Sequence, residues 1–209
     1  RHYPCVTTDW FSKCNGVGLR PDRRIRTYQR RLHHVAMNTV RSVHRSPVHG
    51  FSKESVASIT LLTGLGVEGD AHCGELVKHR SRVAADPSQP NLRQVHLMMG
   101  ETLDGENVPD GELGENITTY GIDLHALPTG TLMSIGDSVI ELTGLRNPCA
   151  QINTYRDGLL SAFRSENPDG GTIRRAGIMA IVISGGTIRV GDEIHIKIPH
   201  DKSEPLRPV

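Results

Sequence analysis

The sequence predicts a mainly β domain carrying a few short helices, and three observations predict it. The 209 residues include 22 Gly and 12 Pro, with 36% apolar and only 4% aromatic residues, a composition that suits short strands and many turns rather than a helical bundle. β-rich runs recur between clusters of Gly, Pro, Asn and Asp, the ordinary boundaries of strands. Ile194, Ile196 and Ile198 alternate with His195 and Lys197, the period of a strand that buries one face.

Residues 1–37 lack that pattern. They hold eight basic and two acidic residues, a net charge of +6 against −5 for the remainder, and read as a basic tail without a core. Ile25, Tyr28, Leu32 and Val35 fall near helical spacing, which also permits a transit peptide or a phosphate-binding arm. Because Met37 runs at once into a strand-like segment, it is read as the natural start, with the preceding residues an extension. The domain then spans 38–200, followed by a C-terminal tail at 201–209.

Within the domain, strands are predicted at 39–46, 56–62, 93–98, 116–119 and 131–142 and within 177–198. Helices are predicted at 101–107 and 155–166, the second from an apolar stripe of Leu159, Leu160 and Phe163 that Asn167 and Pro168 end. Gly136-Asp137 and Gly191-Asp192 sit in similar surroundings and both read as hairpin turns, expected to close opposite sides of a small barrel.

No stretch approaches the roughly 18 apolar residues of a membrane-spanning helix, and no secretory signal stands at the start, so a soluble protein without a membrane partner is expected. Cys5, Cys14, Cys73 and Cys149 form no CxxC pair and read as free thiols of a reducing cytoplasm. Gly64, Gly66 and Gly69 have dinucleotide-loop spacing but lack the helix such a loop opens. A nucleic-acid role resting on the basic tail is opposed by the acidic body.

Chemistry concentrates around Arg146-Asn147-Pro148-Cys149, between a predicted strand and a predicted helix. Pro148 cannot donate to a strand ladder and biases Asn147 toward extended backbone, so the turn can aim Cys149 into a cavity. A neighbouring Arg146 would favour the thiolate, the form that binds soft metals or carries sulfur. The competing reading is a cysteine packed as a small apolar residue. Asp70, His72 and Cys73 follow a Gly-rich turn without the paired spacing of zinc sites, which leaves His72 a proton donor or a loop residue. His44 and His49 flank Pro47 and are candidates to line a pocket near Lys53.

The series Gly66-Val67-Glu68-Gly69-Asp70, Leu113-Gly114-Glu115-Asn116-Ile117, Gly130 through Ile135-Gly136-Asp137, Arg146-Asn147-Pro148-Cys149, Gly177-Ile178-Met179 and Val190-Gly191-Asp192 resembles the MOSC family, the molybdenum-cofactor sulfurase C-terminal domain. The resemblance runs from about Asn38 to Ile198. It implies a MOSC-type barrel, similar to the pyruvate-kinase β-barrel, whose pocket holds the molybdenum cofactor, with the family cysteine at Cys149 as metal ligand or persulfide carrier. That cofactor carries a phosphate, for which Arg146, Arg174, Arg175, Lys78 and Arg80 are the basic candidates and Asn116 a hydrogen-bonding one. The stretch 77–83 departs from the His-Gly-Gly loop of better-known stand-alone members.

The resemblance implies an oxidoreductase that reduces N-hydroxylated small molecules, with Cys149 on molybdenum and His72 supplying a proton. The alternative is a non-catalytic carrier of persulfide sulfur or of the cofactor. The chain offers no iron-sulfur cysteine set, so electrons are expected from a separate reductase. Nothing specifies a Schiff-base lysine, so pyridoxal phosphate is not expected.

Overall fold

The computed structural model describes residues 38–200 and 204–209. The basic tail expected over 1–37, the start at Met37 and residues 201–203 of the expected C-terminal tail lie outside the described residues.

The fold is mainly β. An eight-stranded mixed sheet runs in the order β13 (Ile194–Lys197), β7 (Leu132–Ile135), β8 (Ser138–Leu145), β11 (Ile178–Ser184), β5 (Val95–Met99), β6 (Ile117–Tyr120), β1 (Thr39–Arg45), β2 (Glu54–Val56). A three-stranded sheet joins β12 (Gly186–Arg189), β3 (Ser58–Leu62) and β4 (Gly66–Val67), and β9 (Arg164–Glu166) pairs with β10 (Thr172–Arg174). Among the described residues, four short α-helices, α1 (Arg80–Ala85), α2 (Gly100–Gly105), α3 (Gln151–Tyr155) and α4 (Leu159–Phe163), lie in the connections. No helix among the described residues is long and apolar enough to cross a membrane.

The expected barrel does not close. Gly136-Asp137 does turn β7 back onto β8, with Ile135 facing Ser138. The second Gly-Asp turn makes no hairpin, because β12 leaves to pair with β3 while β13 pairs with β7. The strands expected to seal one side therefore belong to two sheets. Between β13 and β1 the contact reduces to one bridge, Thr39 with Glu193, and main-chain bonds such as Ile194 N–H to the Asn38 carbonyl at 2.7 Å.

The helix expected at 155–166 is interrupted. Gly158 adopts a left-handed φ of 78°, which divides the segment into α3 and α4, and the last three residues become β9. The expected tail is packed where it is described: Leu206 joins the main core, and Leu145 donates to Arg207 while accepting from Val209.

Strand alternation puts the two faces of the sheet to different uses. On β5, Val95 and Leu97 enter the main core together with Ile59, Leu61, Val67 and Ile188 of the smaller sheet. Met98 points the other way, into a second cluster with Leu103, Ile152, Leu159 and Phe163 of the helical segments. His96 shares that second face and lines a cavity there. On β11, Ile178, Ala180 and Val182 are core residues while Met179 reaches the same cavity. The candidate site therefore lies across the sheet from the main core.

Candidate functional site

The cavity, about 230 Å³, is bounded by the end of β5 and β11, the loops around residues 50–53, 72–82 and 113–116, and the turn that leaves β8. Its charged lining is entirely cationic. Lys53, Lys78, Arg82, Arg93 and Arg146 contribute side chains, together with His72, His79 and His96, while no Asp or Glu among the described residues lines it.

Cys149 sits on this wall, one residue beyond buried Pro148, on the turn that leads into α3. Its Sγ lies 3.6 Å from Gln151 Oε1. The turn is anchored where Arg146 N–H donates to the Gly177 carbonyl at 2.9 Å and Arg146 Nη1 donates to the Leu113 carbonyl at 2.7 Å. Gly177 has a φ of 106°, and a Cβ there would strike the His96 ring and the Leu97 carbonyl, so a side-chain-free residue is what lets this turn lie against β5.

The cations are mutually unfavourable without an anion. Burial, then the charges of Arg146 and Arg82, push Arg93 down to about 10, offset in part by Cys149. Burial also lowers Arg146, again opposed by Cys149 and by Glu115. His79 is pushed to about 4 by burial and then by Arg93, His72, Arg146 and Arg82. His96, buried in the wall with Nε2 2.9 Å from the Ala176 carbonyl, is held well below its ordinary value by burial and Arg146. Such a basin attracts an anionic ligand.

Beside it lies a hydrogen-bonded carboxylate. Asp70 Oδ2 accepts from Lys53 Nζ at 2.7 Å, Asn116 Nδ2 at 3.1 Å and Ser46 N–H at 3.3 Å. Its Oδ1 meets His72 N–H at 2.9 Å and His72 Nδ1 at 3.1 Å. Burial alone would raise this carboxyl, but the His72 bonds and the Lys53 charge outweigh it and hold Asp70 far below the usual range.

Of the residues singled out in the sequence, Cys149, His72, Arg146, Asn116 and Lys78 line one cavity. Asn116 is committed internally, since its amide also donates to the His44 carbonyl and its oxygen accepts from His96 N–H. Arg174 is outside the lining and bonds Asn147 Oδ1 at 3.1 Å, and Arg175 is likewise outside it. Arg80 opens α1, and Arg82 is the described arginine of that helix that reaches the cavity. His49 is not in the lining but stacks edge-on against His72, with ring centroids 4.9 Å apart, while His44 is buried. Sequence reasoning did not assign Arg93 or His96 to the site. Their signal was slight: Arg93 and His96 directly flank Gln94-Val95, and His96 is the one polar residue of the otherwise apolar β5.

A family model described as the MOSC domain matches residues 88–195. The chain belongs to the MOSC domain family. That family is associated with the molybdenum cofactor. The match covers Arg93, His96, Asn116, Arg146 and Cys149, and begins downstream of Lys53, Asp70, His72 and Lys78. Among solved structures, this MOSC domain is similar in fold to the YUAD protein from Bacillus subtilis, with 24% identity over 77% of this chain and 96% of that one and a TM-score of 0.60. It is similar also to YiiM from Geobacillus stearothermophilus, with 14% identity, 80% and 79% coverage and a TM-score of 0.55. YiiM from Escherichia coli gives 18% identity, 80% and 73% coverage and a TM-score of 0.52. No curated protein matches the chain.

Proposed function

We propose that this MOSC domain binds the molybdenum cofactor in the cationic cavity, with Cys149 as the protein ligand to the metal, and reduces N-hydroxylated small molecules. The observation that carries the reading is a thiol, Cys149, on a wall whose charged groups among the described residues are all basic.

The residues present fit the group. No cluster of three or more His, Cys, Asp or Glu side chains among the described residues is arranged to hold a bare ion, so a metal here must bring most of its own ligands. A dithiolene-chelated molybdenum does so and accepts a thiolate as a further soft donor. Arg93 and Arg146 lie close enough to Cys149 for their charges to couple to its sulfur. Lys78, Arg82, Arg93 and Arg146 supply the positive charge and guanidinium forks that a phosphate requires.

The bound cofactor supplies the two-electron reduction of an N–O bond. Cys149 fixes it from the β8–α3 turn, and the basic residues offset its anionic charge. His72, half-buried on the same wall with Nδ1 against Asp70, passes a proton to the departing oxygen through its other ring nitrogen, Nε2. Electrons come from a separate reductase.

The test is expression in a host that makes the cofactor. Wild-type protein should copurify with molybdenum and reduce benzamidoxime with an artificial electron donor, whereas Cys149→Ser should lose most of both. A wild type that holds molybdenum but reduces no N-hydroxylated substrate assigns the chain to cofactor or sulfur carriage instead.

A further inference from the structure

We infer that Lys53 is a positioning residue: through Asp70 it fixes His72 as the tautomer protonated at Nδ1, leaving Nε2 as the ring nitrogen available to the cavity. The argument rests on which groups can donate. Lys53 Nζ can only donate, and at 2.7 Å it binds Asp70 Oδ2 while its side chain is 5% exposed. Lys53 is the cationic partner of a carboxylate that is itself 2% exposed. A carboxylate kept ionised in this way can only accept. Its second oxygen, Oδ1, stands 3.1 Å from His72 Nδ1, so that nitrogen must carry the hydrogen.

The remaining contacts lock the same arrangement. Asn116 and Ser46 N–H fill the Lys53 side of the carboxylate, and His72 N–H donates to Oδ1 from the main chain, so Asp70 cannot swing away from the ring. The His72 main-chain oxygen accepts from Asn91 Nδ2 at 2.9 Å, and His49 packs edge-on against the ring. The ring is 30% exposed on a wall with no acidic residue among those described, so an available Nε2 is the atom through which a proton enters or leaves the cavity. Lys53 thereby acts on the reaction through two intermediaries, although it too lines the cavity.

The use of His72 as proton donor rests on the function proposed above, but the tautomer does not, and it is measured without cofactor. Long-range proton–nitrogen spectra of the metal-free chain, labelled with 15N at histidine and recorded above the imidazole titration range, report which nitrogen is protonated, with His72→Gln identifying the resonance. Wild type should show His72 predominantly protonated at Nδ1. Lys53→Met should move the majority to the Nε2-protonated form, and Lys53→Arg should restore the wild-type pattern, while the buried His96 resonance reports an intact fold. A wild-type His72 protonated mainly at Nε2 overturns the inference even if the Met variant fails to fold. Unchanged Nδ1 protonation in a folded Lys53→Met overturns the part assigned to Lys53.

Discussion

Arg93 and Arg146 are half-buried, close to one another and both within reach of the Cys149 charge. A guanidinium that loses water without gaining a carboxylate is costly unless an anion arrives. Arg93→Ala should therefore weaken cofactor retention by about tenfold or more, the scale of one charge-assisted bond, whereas Arg175→Ala, outside the cavity lining, should leave molybdenum content near wild type. Metal analysis of the purified variants separates the two. His79 gives a second prediction. Burial and the surrounding cations push it in the folded chain to about 4, below the ordinary imidazole value, so between the two the unfolded chain binds the proton that the folded chain refuses. Stability then falls as pH drops through that window. Denaturant midpoints measured from pH 7 to 4 should show a shallower decline for His79→Gln than for wild type.

At the level of elements, the site depends on the close approach of the β8–α3 turn to β5. Gly177→Ala adds a Cβ against the His96 ring and the Leu97 carbonyl at a left-handed φ, and should cost ~2–4 kcal/mol. Equilibrium unfolding measures that loss, and copurified molybdenum should fall with it. Most of the strands were legible as short apolar or β-branched runs between turn residues: β1 (Thr39–Arg45), β5 and β6 all overlap predicted runs. The position of Cys149 on the cavity wall matches an expectation drawn from its turn after Pro148 together with the MOSC resemblance. What escaped was set by distant contacts. The helix α1 lies in a charged stretch with too short an apolar stripe to register, and β4, β9 and β10 have three residues or fewer. The helix expected at 155–166 rested on Leu159, Leu160 and Phe163, all beyond Gly158, so that stripe carried no sign of the left-handed break that separates α3 from α4. Lys53 and Asp70 are 17 positions apart, and no local pattern announces an ion pair between them.

For the whole molecule, two cores share one sheet, and the cavity opens on the side of the smaller helical cluster. Local repetition suggested two equivalent hairpins, but pairing across the chain sent β12 and β13 to different sheets and left the large sheet open. The C-terminal segment joins fold to site, since Leu206 is buried and the main-chain oxygen of Val209 accepts from Arg93 Nη1 at 3.0 Å. Deleting residues 204–209 should lower stability by about 2–3 kcal/mol, roughly the burial of one leucine with its strand bonds, and should weaken molybdenum retention by freeing Arg93. Unfolding and metal content, measured on the same truncated protein, check both halves. The claim underlying the proposed function is a bond between one protein sulfur and molybdenum. X-ray absorption at the molybdenum edge, comparing cofactor-loaded wild type with whatever metal Cys149→Ser retains, tests it most directly. The account predicts one fewer sulfur neighbour in the variant, and the same number of sulfur neighbours in both proteins would contradict it.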